Sequence, residues 1–369
     1  MKIICKKTDL QDSVNIVLKA VPSKSTMPIL ECLIIEVKND KIKMIANDME
    51  LGIETIVKGS IVRTGTIAIN AKLFSEIIRK LPDNDVTIDI DDNHLATITC
   101  EKSKFTLSGR SGEEFPYLPN IVKQDAVILS QFSLKEIIRQ TVFSISDNES
   151  NKIMTGELFE ISGDELKVVS LDGHRISIRK LTLNKSYNDI KVIVPGKTLT
   201  EISKILSGEI SDDVSIFFTD KHILFEFNNT IVLSRLIEGE YYKINQMLSS
   251  DYETKVTVNK KELLSSIDRA TLLIKETEKK PIIVNIDDRK LALKMNSSIG
   301  SLDEDIEISK EGKDILIGFN PKFLIEALRV IDDEEIDIYL INPKAPCFIR
   351  NKEESYIYLI LPVNFNAGV

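Results

Sequence analysis

The chain has 369 residues, which at roughly 100–200 residues per domain implies two or three domains with well-filled cores. With 48 Lys and Arg against 57 Asp and Glu, a net charge of −9, and 43% hydrophobic and 28% charged residues, the composition is that of a folded globular protein. It excludes a disordered or fibrous chain and a globally basic nucleic-acid binder, but not a local basic face. The longest apolar run, 356–363, is far shorter than the ~20 residues needed to cross a bilayer, and residues 1–10 carry no signal-type apolar stretch, so a cytoplasmic protein is expected.

In chain order, a first helix is predicted over 9–21, where Leu10, Val14, Val17, Leu18 and Val21 recur at three- and four-residue steps and form one apolar stripe. A hairpin follows over 33–48, whose alternation of period two is punctuated by Asn-Asp. Residues 66–90 (TIAINAKLFSEIIRKLPDNDVTIDI) read as strand, helix, acidic turn and strand. These parts then recur: a helix over 133–145, a strand over 165–173, strand–helix–turn–strand over 191–218, a strand pair over 225–236, a helix over 260–274, and strand–helix–turn–strand over 314–340. Phe74, Leu199 and Leu324 hold equivalent places in the three copies and are spaced 125 residues apart, close to one third of the chain. A tandem triplication explains that period. Each repeat is an α+β unit of two amphipathic helices on one face of antiparallel sheet, with boundaries near 121–127 and 246–254 and no Gly/Ser or Pro-rich linker.

The charge is unevenly spread. The helical segments 8–24, 71–80, 134–140, 196–206, 260–275 and 320–331 carry +7 in total, which leaves −16 for everything else. If these helices share a face, that face is basic within acidic surroundings, an arrangement suited to sequence-independent contact with phosphates. Cys5, Cys32, Cys100 and Cys347 form no C-x-x-C pair and three lie in strand-like runs, which predicts reduced, buried thiols and neither a zinc site nor a disulfide framework. LDGHRI at 171–176 invites a His174 base oriented by Asp172, but His94 and His222 stand elsewhere and no nucleophile motif is near. Phosphate loops, H-E-x-x-H and EF-hand spacings are absent, and the acidic run 89–92 reads as a solvated turn. No catalytic residue, metal or cofactor is expected.

LDGHRI at 171–176, GFNPKFLIEAL at 318–328, TMPIL at 26–30, NDMEL at 47–51, VIVPGK at 192–197, EEFPYLP at 113–119 and LILPV at 359–363 together resemble the bacterial sliding clamp family, the β subunits of DNA polymerase III, over the whole chain. The resemblance implies three tandem clamp domains (1–122, 123–248 and 249–369) and a ring-shaped homodimer with helices lining the lumen and antiparallel sheets outside. It further implies a non-catalytic processivity factor that encircles duplex DNA. Helix arithmetic agrees: twelve helices of ~10 Å diameter side by side leave a lumen of about 28 Å, enough for a duplex, whereas the six of one chain leave only about 9 Å. The rival reading is a triplicated interaction scaffold with no DNA role.

By the same resemblance, Lys24, Lys72, Arg79, Lys80, Lys197 and Lys204 would meet DNA. Met154, Leu171, Gly173, His174, Arg175, Ile176, Met247, Leu359, Ile360, Leu361, Pro362 and Val363 would form a pocket for short linear motifs of the polymerase III alpha subunit, the clamp loader, other polymerases and repair proteins. Phe105 and Leu107 would meet Leu272 and Leu273 of a second copy. The chain departs from the family pattern at Tyr241-Tyr242-Lys243-Ile244, where Phe-Pro-x-Tyr is common, at Asn151-Lys152 in place of Arg-Pro, at Asn364 in place of Arg, and in its continuation over 365–369.

Overall fold

The structure is a computed structural model, and it describes residues 1–248, 251–275 and 280–365. The chain forms two compact units, 1–135 with 197–236, and 136–196 with 237–369. The middle third therefore contributes to both. The reason is strand pairing. In the first unit, Val127–Ser130, Asp213–Phe218, His222–Phe227 and Thr230–Arg235 continue into Leu51–Val57, Lys41–Asn47, Cys32–Lys38 and Gly65–Asn70 to make one eight-stranded sheet. A separate five-stranded sheet runs Ser60–Arg63, Lys2–Lys6, Asp85–Ile90, Leu95–Cys100, Ser103–Ser108. In the second unit, the long hairpin Gly156–Leu171 and Arg175–Pro195 joins Tyr356–Ile360 and seven further strands in a ten-stranded sheet. Every strand pairing among the described residues is antiparallel, as the period-two runs predict.

Among the described residues six α-helices lie between the strands: α1 (Lys7–Val17), α2 (Ala71–Lys80), α3 (Gln131–Arg139), α4 (Gly196–Ser203), α5 (Lys260–Thr271) and α6 (Pro321–Val330). Three start the same way. The side-chain oxygens of Asn70, Asn259 and Asn320 accept from the backbone N–H of Leu73 (3.0 Å), Glu262 (3.1 Å) and Lys322 (3.1 Å), satisfying donors that have no partner inside the helix. α2 buries Ala71, Phe74, Ile77 and Ile78 and presents Lys72, Arg79 and Lys80 to solvent. α1 packs against α2 in the first unit, and α5 against α6 in the second.

The predicted first, third and fifth helices are too long. α1 stops at Val17 and gives way to a 3₁₀ turn over Leu18–Ala20, so Lys24 lies in an exposed loop instead of on the helix. α3 stops at Arg139, and α5 at Thr271, beyond which Leu272, Leu273 and Ile274 bond three residues back. Apolar period alone does not separate an α-turn from the tighter turn that follows it.

All four cysteines are buried and free, and burial pushes the Cys5 and Cys347 thiols up to about 12, which keeps them protonated and inert. The acidic run is committed locally: Asp89 pairs with Lys2 (3.2 Å) and Arg63 (2.7 Å), and Asp91 Oδ1 accepts from the backbone of Asn93 and Leu95, each at 2.9 Å.

In the first strand of the long hairpin, the fully buried Glu157 accepts from Thr141 Oγ1 at 3.0 Å, and its other oxygen has no partner among the described residues. Burial holds its carboxyl pKa well above the ordinary range. The folded state thus keeps a proton that the unfolded chain releases, and this group's contribution to stability falls as pH rises above the usual carboxylate range. Urea unfolding from about pH 5 to 8 should show a decline in the parent protein that is flatter in Glu157→Gln.

Candidate functional site

The predicted pocket residues converge on the second unit's sheet. Leu171, Ile176 and Leu359 stand side by side on three adjacent strands, because Leu171 pairs with Ile176 and Ile176 with Leu359. Period two puts Val169, Ile178 and Ile357 on the same face, where they pack with Leu158 and Ile193. The segment at the end of the central repeat adds buried Tyr241 and Ile244, and Met154, Tyr242, Leu248 and Leu361 cover the rest in part. Met247, just past a 3₁₀ turn and before Leu248, is about half exposed (49%). A hydrophobic floor with a partly open rim results.

The turn at 172–174 is fixed by its own acid. Asp172 Oδ1 accepts from the N–H of His174 (2.9 Å) and Arg175 (3.1 Å), an Asx turn that favours a left-handed residue in between. Gly173 takes that place, with φ +90° and open space where a side chain would be. The His174 carbonyl accepts from Leu361 N–H (2.9 Å), and its ring stacks on Phe323 with centroids 6.0 Å apart. Val363 N–H donates to Gly318 O (2.9 Å), which turns Pro362 and Val363 onto the strand Ile315–Phe319, and Phe365 lies against Gly318. Residues 366–369 of the expected extension lie outside the described residues. The altered segment makes its own lock: Asn151 Nδ2 donates to Tyr242 Oη (2.7 Å), Tyr241 Oη donates to Val169 O (3.1 Å), and the two rings meet edge-on at 6.1 Å. Burial raises the Tyr241 phenol pKa, so it remains a donor.

Two expected pocket residues face the other way. Ile360, 1% exposed, alternates away from Leu359 and packs in the core with Leu324 and Leu328 of α6. Arg175, 6% exposed, alternates away from Ile176. Its guanidinium donates to Asp172 Oδ2 (2.9 Å), Glu326 and the Phe143 carbonyl (2.5 Å), and lies 4.6 Å from the Phe323 ring centroid and 5.3 Å from that of Phe143. Its polar capacity is spent inside the protein, so it positions the turn and does not offer contacts at the rim. Phe143, Phe323 and Glu326 were missed from sequence, whereas Ile178 and Ile357 were within reach of the alternation.

The candidate DNA-contacting cations separate into two groups. Lys24, Lys72, Arg79 and Lys80 are exposed and make no ion pair among the described residues. Lys197 at the start of α4 is exposed but set 2.5 Å from Asp48, and Lys204, just after α4, pairs with Glu201 at 2.7 Å.

Phe105 (39% exposed) and Leu107 lie on Ser103–Ser108, which pairs on one side only and is thus an edge of the five-stranded sheet. Leu272 is 77% exposed at the end of α5, while Leu273 packs partly against the second unit's core. In that unit, residues 301–307 pair on one side only among the described residues, with Lys290–Asn296.

Among the described residues no group of His, Cys, Asp and Glu is arranged to hold a metal ion. Among the same residues no helix is long and apolar enough to cross a membrane.

Family models for the DNA polymerase III beta subunit match the chain in three consecutive parts: the N-terminal domain over 1–119, the central domain over 128–243 and the C-terminal domain over 245–364. The chain is 35% identical to the beta sliding clamp of Bacillus subtilis, over 98% of this chain and 99% of the relative, and 33% identical to that of Staphylococcus aureus with the same coverage. Among solved structures, an Eubacterium rectale chain described as a DNA polymerase III beta subunit is 62% identical with a TM-score of 0.96, covering 99% of this chain and 100% of that one. The Bacillus subtilis DNA polymerase sliding clamp is 34% identical by structure, also with a TM-score of 0.96 and the same coverage. Matched from end to end by relatives of this one kind, and built of three tandem clamp domains, the chain belongs to the DNA polymerase III beta subunit family: it is a non-catalytic sliding clamp that serves polymerase processivity.

Proposed function

We propose that this clamp works as a closed homodimeric ring around duplex DNA in the cytoplasm, with repeats bounded at 1–122, 123–248 and 249–369. It tethers the polymerase III alpha subunit, the clamp loader and other polymerases and repair proteins through short linear motifs. The observation that carries the motif-binding part is the in-register apolar row Leu171, Ile176 and Leu359, flanked by part-exposed Met154 and Leu361, with half-exposed Met247 next in sequence to Leu248, which packs on the same cluster. A floor of this kind takes Leu or Phe side chains of an extended peptide, with the exposed 173–174 backbone beside it for polar contacts. Met247→Asp with Leu361→Asp places charge at the rim without entering the deep core. A Q-x-x-L-x-L/F type peptide in fluorescence polarisation should bind this folded variant at least about tenfold more weakly, or about 1.4 kcal/mol, and undiminished affinity would remove the pocket from the reading.

Ring closure is supported by two edges, Ser103–Ser108 and residues 301–307, whose unpaired backbone groups call for partners. Lys102 and Lys104 lie at the first edge and Asp303, Glu304, Asp305 and Glu307 along the second, opposite in charge, with Asp303, Glu304 and Asp305 paired to Lys294, Arg269 and Lys290 within the chain. Phe105→Asp with Leu272→Asp changes two exposed positions. Light scattering over a dilution series should show dimer dissociation favoured by about 100-fold, close to 3 kcal/mol; a dimer of parental tightness would refute this interface.

DNA contact is assigned first to the unpaired cations Lys24, Lys72, Arg79 and Lys80, and second to Lys197 and Lys204, which already hold carboxylates. Contacts of this kind read phosphate and not base. Lys72→Glu with Arg79→Glu should lower retention on nicked circular DNA and reduce the steepness of its salt dependence by about two ions, with the dimer intact. Equal retention and slope would move the DNA contact elsewhere.

A further inference from the structure

The first unit contains a counterpart of the motif pocket built from the same parts. Asn47, Gly52 and Leu233 stand in register on three adjacent strands, as Leu171, Ile176 and Leu359 do in the second unit. The turn is also repeated: Asp48 Oδ1 accepts from the N–H of Glu50 (3.1 Å) and Leu51 (2.8 Å), and Met49 takes the left-handed position with φ +77°.

The row differs in what covers it. A Cβ on Gly52 would lie 1.9 Å from Leu118 Cδ1, so Leu118 lies directly on the row and covers it. Asn47 Nδ2 donates to Pro116 O at 2.8 Å and ties down the same segment. Leu118 and Ile121 then pack on Leu224, Ile231 and Leu233. Pro116 and Pro119 flank Leu118, so the covering strip is stiff, extended and leucine-bearing, the form in which a linear motif binds a groove. Beside it remains a cavity of about 450 Å³, lined in part by Ile45, Glu54 and Tyr117.

We propose that this groove is a second peptide-accepting face, occupied in cis by the chain's own Leu118, so that the strip 115–121 acts as a built-in competitor and leaves one motif pocket open per chain. The inference rests on the motif-pocket reading above. Its substrate class is the same, a short extended peptide with a Leu or Phe anchor.

The test is calorimetric titration of the full chain with the Q-x-x-L-x-L/F peptide, accompanied by hydrogen exchange over 115–121. The parent should bind one peptide per chain. Leu118→Ala should raise exchange over 115–121 at least tenfold and bind two. Gly52→Ala, which fills Leu118's seat from below, should act in the same direction and serves if the first variant does not fold. A folded variant that still binds one peptide overturns the proposal, whether the strip stays protected or opens. Adding Met247→Asp and Leu361→Asp separates the two readings: by themselves they should abolish binding, and with Leu118→Ala one site should return. If they leave the parent's binding intact, the motif pocket is misplaced; if they abolish it and Leu118→Ala restores nothing, the second face is.

Discussion

Backbone hydrogen bonding between strands of successive repeats is the constraint on which the rest of this structure depends. Residues 230–234 pair with 51–55, and 175–179 with 356–360. Each join removes two sheet edges that would otherwise expose rows of unpaired donors and acceptors. It also brings a turn of one repeat, the linker that follows, and a strand of the next onto one face. The groove formed there is a by-product of joining sheets. Its floor is apolar because the strands must pack, and its rim is open because the linker crosses only part of it.

Whether such a groove is open is then decided by a few side chains. In the second unit Ile176 fills the floor, and Tyr241, anchored to Val169, draws the end of the central repeat down to one side. In the first unit Gly52 leaves a hole and Leu118 drops into it. The buried Arg175 performs a related task from beneath. With two carboxylates and two aromatic faces around it, the charge is compensated, and the turn bearing His174 is held from the inner side of the sheet.

The repeat, the helix positions and the strands were legible because they depend on local period: the 125-residue spacing of Phe74, Leu199 and Leu324 marks three equivalent helices that the structure contains as α2, α4 and α6. The ends of α1, α3 and α5 were not, because the apolar pattern runs on into tighter turns. The family resemblance carried LDGHRI and LILPV over as whole stretches and so placed Arg175 and Ile360 in the pocket, although neighbours along a strand point to opposite faces. The fit of Leu118 over Gly52 was beyond a sequence reading. It requires the register of Leu51–Val57 against Thr230–Arg235, strands some 180 residues apart in the chain.

The sharing of the middle third between two sheets bears on how sequences of this kind recombine. A genetic crossover near 119–128 or 243–245, where the family's domains meet, leaves each covalent repeat whole yet forces strands inherited from different parents to pair across 51–55 and 230–234, or across 175–179 and 356–360. Backbone pairing tolerates this, but the side chains on both faces of the joined strands do not mix freely, since each core is packed to its own volumes. The neutral breakpoints of the fold therefore do not coincide with its apparent domain boundaries. Chimaeras that keep each jointly built sheet from a single parent will fold more readily than those that exchange whole repeats.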